Sequence, residues 1–148
     1  MTTVRTGQAV DILLVEDDRG DELIAREAFD ENKIKNVLHV ARDGQEGLDF
    51  LYRRGVHSDA PRPDLILLDL NLPKYDGRQL LQKVKSDADL CDIPIVVLTT
   101  SSTPEDIVLS YKLHANAYVT KPVDLDQFLN VVRRIDDFFV QLVRLPRF

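Results

Sequence analysis

The chain has 148 residues, enough for one domain with a real core. Hydrophobic residues make up 44% and charged residues 30%, ordinary for a soluble globular protein, while the formal net charge is −6. That acidic balance argues against a binder of nucleic-acid backbones, which carries a basic footprint. Cys91 is the only cysteine, so neither a disulfide framework nor a cysteine zinc site is available within the chain. No apolar run approaches the ~18 residues of a membrane span. No basic segment followed by an apolar stretch opens the chain, so the expected compartment is the cytoplasm.

Strand and helix patterns alternate five times. Ile12-Leu13-Leu14-Val15 predicts a first strand over 11–16, running into Glu16-Asp17, and a helix over 19–32 follows. Asp18 caps that helix, with Asp21 and Glu22 in its first turn. A second strand is expected over 37–41 and a helix over 43–54, then a polar loop with Pro61 and Pro63. Leu65-Ile66-Leu67-Leu68 predicts a strand over 64–69 that runs into Asp69, before a helix over 76–86. Ile95-Val96-Val97-Leu98 predicts a strand over 93–98 that runs into Thr99. Thr103 and Pro104 start a helix over 104–114. Ala117-Tyr118-Val119-Thr120 predicts a strand that runs into Lys121-Pro122, and Asp124 starts a final helix over 125–143.

Runs this short, apolar and partly β-branched read as strands buried on both faces of a parallel sheet. Helices between them imply right-handed βαβ units and a three-layer α/β domain. Pattern alone does not fix strand order. The flavodoxin-like order 2-1-3-4-5 is one of two common choices and sets the first and third strands at the switch point. The ligand crevice of such sheets lies outside the carboxyl ends of the strands. Glu16, Asp17, Asp69, Thr99 and Lys121 would then share one rim.

Taken alone, each of these side chains is ordinary: an acidic turn, a strand-end hydroxyl, a solvated lysine. Together they define a chemistry. Crowded carboxylates repel and call for a neutralising cation. Mg²⁺ takes oxygen ligands and favours one or two carboxylates plus a phosphate, and the backbone carbonyl of Asn71 could add an oxygen. A hydroxyl and an ammonium at the same rim suit a phosphoryl group, and a carboxylate can itself be the nucleophile. Lys121-Pro122 is compatible with either a cis or a trans bond.

Two other classes share parts of this pattern. Asp-nucleophile phosphatases of the haloacid-dehalogenase type place an Asp after a strand, with Lys and Mg²⁺. They use a second Asp two residues on, where this chain has Asn71, and need a cap that 148 residues barely accommodate. A flavodoxin-like FMN binder would suit the fold, but no Ser/Thr/Gly-rich loop follows the first strand and the acids there would repel the phosphate. His39, His57 and His114 show no metal spacing and receive no role.

The ordered set LLVEDD (13–18), LILLDLNLPKYDG (65–77), IPIVVLTTS (93–101) and AYVTKP (117–122) resembles a response-regulator receiver domain. The resemblance spans 11–143, leaving 1–10 as an N-terminal extension and 144–148 as a tail. It implies that Asp69 is the phosphoacceptor, Asp17 a direct Mg²⁺ (or Mn²⁺) ligand, Glu16 a ligand through water and Asn71 the backbone-carbonyl ligand. Thr99 matches the switch hydroxyl, Lys121 the family's lysine and Tyr118 the switch aromatic. LLDLNLPKYDGRQLL, VVLTTS, the long loop after the second helix and the ending VRLPRF are similar to the small regulators of cyanobacterial and bacterial phytochrome histidine kinases. The partner so implied is a sensor histidine kinase. No effector module is seen after the last helix, so output is expected through the receiver's own surface.

That surface has an apolar candidate. At about 100° per residue, Phe128, Val132, Ile135 and Phe139 form one stripe of the last helix, with Val131, Phe138 and Leu142 beside it. The helix over 104–114 is similarly broad, with Ile107, Val108, Leu109, Tyr111 and Leu113. The expectation is a homodimer through the fourth helix, fifth strand and fifth helix.

Overall fold

The computed structural model describes residues 10–30 and 36–138. Five strands, β1 (Val10–Val15), β2 (Asn36–Ala41), β3 (Leu65–Leu68), β4 (Ile95–Thr99) and β5 (Ala117–Thr120), form one parallel sheet of order β2-β1-β3-β4-β5. Five helices alternate with them: α1 (Arg19–Asp30), α2 (Gly44–Leu51), α3 (Gly77–Ser86), α4 (Pro104–Lys112) and α5 (Leu125–Ile135). This is the flavodoxin-like arrangement.

Two apolar cores explain why the central strands are apolar without alternation. Ile12, Leu14, Leu65, Leu67, Val96 and Leu98 pack with α1 and α5, through Ala25, Phe29, Phe128 and Val132. The intervening Leu13, Val15, Ile66, Leu68, Ile95 and Val97 pack on the other face with α2 and α3, through Leu48, Leu51, Leu80 and Val84. Successive side chains of a strand point to opposite faces, so a sheet covered on both sides demands apolar residues at every position.

The caps follow sequence. Asp18 accepts from the Asp21 amide at 2.9 Å, and Thr103 and Asp124 cap α4 and α5. Asp76 and Gln79 make a reciprocal capping box at α3 that the sequence reading passed over.

Boundaries moved in places. The second helix ends at Leu51 rather than 54, because Arg53 takes a left-handed φ of 55° and Gly55 one of 58° before a short 3₁₀ turn, Gly55–His57. The fourth strand begins at Ile95, after Pro94, rather than at 93. In α5, Phe128, Val132 and Ile135 are buried as the stripe requires. Phe139, Leu142 and the tail lie outside the described residues. Lys121-Pro122 is trans. No helix among the described residues is long and apolar enough to cross a membrane.

Candidate phosphoryl site

The hydrogen-bond ladders run one step past the strand ends and fix the residues that follow. Glu16 donates its amide to the Ala41 carbonyl at 2.9 Å, Asp69 to Val15 at 3.1 Å, and Lys121 to Thr99 at 2.7 Å. Main chain therefore carries each of these side chains onto the same rim, where β1 and β3 part. Glu16, Asp69, Thr99 and Lys121 are all buried, whereas Asp17 is exposed.

Asp69 is at the centre. Its Oδ1 accepts the Thr99 hydroxyl at 2.7 Å and the Asn71 amide at 3.1 Å. Its Oδ2 lies 3.2 Å from the Lys121 Nζ. The same ammonium donates to Glu16 and, at 2.8 Å, to Asp21. Burial penalises the charged form of Lys121, but its bonds to Asp21 and Glu16 outweigh that and hold its pKa above the ordinary lysine value. Burial also pushes Glu16 up to about 7, with Asp69 adding repulsion and Lys121 pulling the other way.

Carboxylate oxygens of Glu16, Asp17 and Asp69 lie within 4.8 Å of one another. Glu16, Asp21 and Asp69 around one ammonium, with Asp17 beside them, leave surplus negative charge, and every donor atom is a hard oxygen. Mg²⁺ or Mn²⁺ fits that set, being oxygen-seeking and content to keep waters where protein ligands run out.

Most of the residues picked out from sequence converge here: Glu16, Asp17, Asp69, Asn71, Thr99 and Lys121. Tyr118 stands half-buried on β5, one strand over from Thr99, and its hydroxyl donates to the Ser101 carbonyl at 2.7 Å. Burial raises its pKa. His39 and His57 pair instead with Asp11 and Glu46, at 2.9 and 3.2 Å. Asp21 was read only as a first-turn acid of α1. The missed signal is that helical side chains tilt toward the N-terminus, so an acid in the first turn after Asp17 faces back to the rim. Asp106 was legible only as a first-turn acid of α4, and Arg78 and Ser101 carried no signal of a role. They form a bonded group beside the site, in which Arg78 grips Asp106 through two bonds of 2.8 and 2.7 Å.

Comparison with known proteins agrees with this geometry. Residues 12–133 match the response regulator receiver domain. The chain is 44% identical over 135 residues to response regulator Rcp1 of Synechocystis sp., covering 91% of this chain and 92% of that one. It superposes on the crystal structure of the Mn²⁺-bound form of Rcp1 with a TM-score of 0.91, at 43% identity, covering 93% of this chain and 99% of that one. It superposes on the phosphorylated cyanobacterial phytochrome response regulator RcpA with a TM-score of 0.92, at 43% identity, covering 95% and 100%. With the fold, the rim and the relatives in agreement, the chain belongs to the response regulator receiver domain family.

Proposed function

We propose that this receiver is a phosphoacceptor in a two-component pathway and signals through its own surface. The observation that carries the reading is the environment of Asp69, with a hydroxyl 2.7 Å from one carboxylate oxygen and an ammonium 3.2 Å from the other. The receiver unit spans 11–143.

Asp69 attacks the phosphorus of a phosphohistidine on a sensor histidine kinase. The new bond joins the Asp69 carboxylate oxygen to phosphorus as the histidine N–P bond breaks. The kinase is a phytochrome, a reading supported by the likeness to RcpA. Lys121 neutralises one phosphoryl oxygen and Thr99 donates to another, the positioning and charge stabilisation on which phosphoryl transfer depends. Asp17, Asp69 and the Asn71 carbonyl would hold Mg²⁺, with Glu16 beside them, and the bound ion would supply further charge neutralisation. Thr99 and Tyr118 then report the state of Asp69 to the α4-β5-α5 face, which shifts between two populations. The chain performs this transfer only on itself and turns over no external substrate.

Incubation with Mg²⁺ and acetyl phosphate, followed by intact mass, tests the reading. The native protein is expected to gain one phosphoryl group and Asp69→Asn none. Equal labelling of both would overturn it.

The α4-β5-α5 face also joins two copies of the chain. On α4, Val108 and Tyr111 are 52% and 51% exposed, and Leu109 adds to the same apolar surface. In sedimentation, the native protein is expected to run as a dimer and Tyr111→Glu as a monomer. A monomeric native protein would overturn the dimer, and a dimeric Tyr111→Glu would overturn its placement on this face.

A further inference from the structure

The bonds around the site close into a ring that leaves Asp69 in one direction and returns beside it from another. Asp69 accepts from Thr99. The Thr99 hydroxyl in turn accepts the Ser101 amide at 3.4 Å. The Ser101 hydroxyl donates to Asp106 Oδ2 at 2.5 Å. Asp106, in the first turn of α4, accepts from Nε and Nη2 of the Arg78 guanidinium. Arg78 Nη1 completes the circuit, lying 3.5 Å from the carbonyl of Leu70, the residue after Asp69. The same nitrogen donates to both oxygens of Asp76, the α3 cap, at 3.2 and 3.1 Å. Tyr118 joins at the Ser101 carbonyl.

We propose that Arg78 is a positioning residue that ties the loop after Asp69 to the first turn of α4, so that Thr99, Ser101, Tyr118 and α4 move as one unit. A planar guanidinium is suited to this role, because its fork can hold a carboxylate through two bonds while other N–H groups reach a second carboxylate and a carbonyl. The surroundings keep the pair ionised. Bonds to Arg78 and Ser101 hold Asp106 down to about 2, and the bond to Asp106 raises Arg78. Both partners are mostly shielded, with side-chain exposures of 28% for Arg78 and 16% for Asp106. A pair placed only to stabilise the surface would not need to share Asp106 with Ser101 or to touch the acceptor loop.

The proposal rests on Asp69 as phosphoacceptor, and the test separates the two. Hydrogen exchange is followed on the full chain for the native protein, Arg78→Gln, Asp106→Asn and the double variant. In the absence of a phosphodonor, amides of 99–106 are expected to exchange about tenfold faster in each single variant, the scale of one lost charge-assisted pair. The double variant is expected to be no worse than either, because both substitutions break one tie. Arg78→Lys, which keeps the charge without the fork, is expected to recover only part of the protection. Native exchange in Arg78→Gln, or additive effects in the double variant, would overturn the tie.

With Mg²⁺ and acetyl phosphate, Arg78→Gln is expected to take up one phosphoryl group while losing the change in exchange over 104–112 that the native protein undergoes. A native-like change in that segment would also overturn the proposal. Failure of every protein to label would strike the phosphoacceptor reading instead, and the exchange measured without a phosphodonor would still decide the tie.

Discussion

Gly77→Ala is expected to cost about 3 kcal/mol or more of folding stability, at the upper end for overpacking. A Cβ at this position would stand 2.2 Å from the Asp69 carbonyl oxygen and 2.6 Å from the Leu70 Cα. Both atoms are backbone, so no side chain can swing aside. The close approach is itself bonded, since the Gly77 amide donates to the Leu70 carbonyl at 3.0 Å. α3 is therefore seated directly behind the acceptor, and any relief must displace the peptide that carries Asp69. Phosphorylation by acetyl phosphate is expected to fall with stability. Gly55→Ala is the control: nothing lies within 4 Å of its Cβ, but its φ of +58° disfavours a side chain. Its expected cost is about 1 kcal/mol. Urea titration of both variants checks the pair, and a loss at Gly77 no larger than at Gly55 would refute the account.

Lys121→Met is expected to produce the second large effect. The ammonium is the shared cation of Glu16, Asp21 and Asp69, and its removal leaves buried carboxylates facing one another. Breaking a buried ion pair from one side costs on the order of 3 kcal/mol, because the remaining charge is uncompensated. Added Mg²⁺ is expected to restore part of that loss by substituting for the missing positive charge. Labelling is a separate matter. Nζ lies 3.2 Å from Asp69 Oδ2, so its loss should lower the rate of acyl phosphate formation about 10²–10³-fold even at saturating Mg²⁺. Urea titration with and without Mg²⁺ measures the first effect and timed intact mass the second. Native-rate labelling in the variant would remove Lys121 from the chemistry.

The parts of the molecule legible in sequence are those governed by local rules. Ile12 to Val15 and Leu65 to Leu68 announce strands covered on both faces, and their followers Glu16 and Asp69 inherit a place on the rim from topology alone. Caps at Asp18, Thr103 and Asp124 were readable for the same reason: each bond spans three residues. Arg78 and Asp106 are 28 residues apart and sit on different helices. Either one reads as a solvated helix charge until α3 and α4 are placed side by side. Asp21 was half-legible, since its helix was found but not the direction in which its side chain points. The end of α2 escaped because the left-handed turn falls on Arg53, a residue that gives no warning of it.

The sheet order also accounts for which side chains the reacting group can have as neighbours. Adjacent strands stand about 4.8 Å apart. β4 borders β3, so a residue at its end crosses a single gap, and short Thr99 suffices. β5 lies one strand farther out, roughly 10 Å from β3, a distance that calls for the full aliphatic arm of a lysine. Side-chain length at each strand end is thus matched to how many ribbons separate it from the acceptor. Shortening Lys121 or exchanging it with Thr99 would leave the charge inventory intact and put the ammonium out of register with its target.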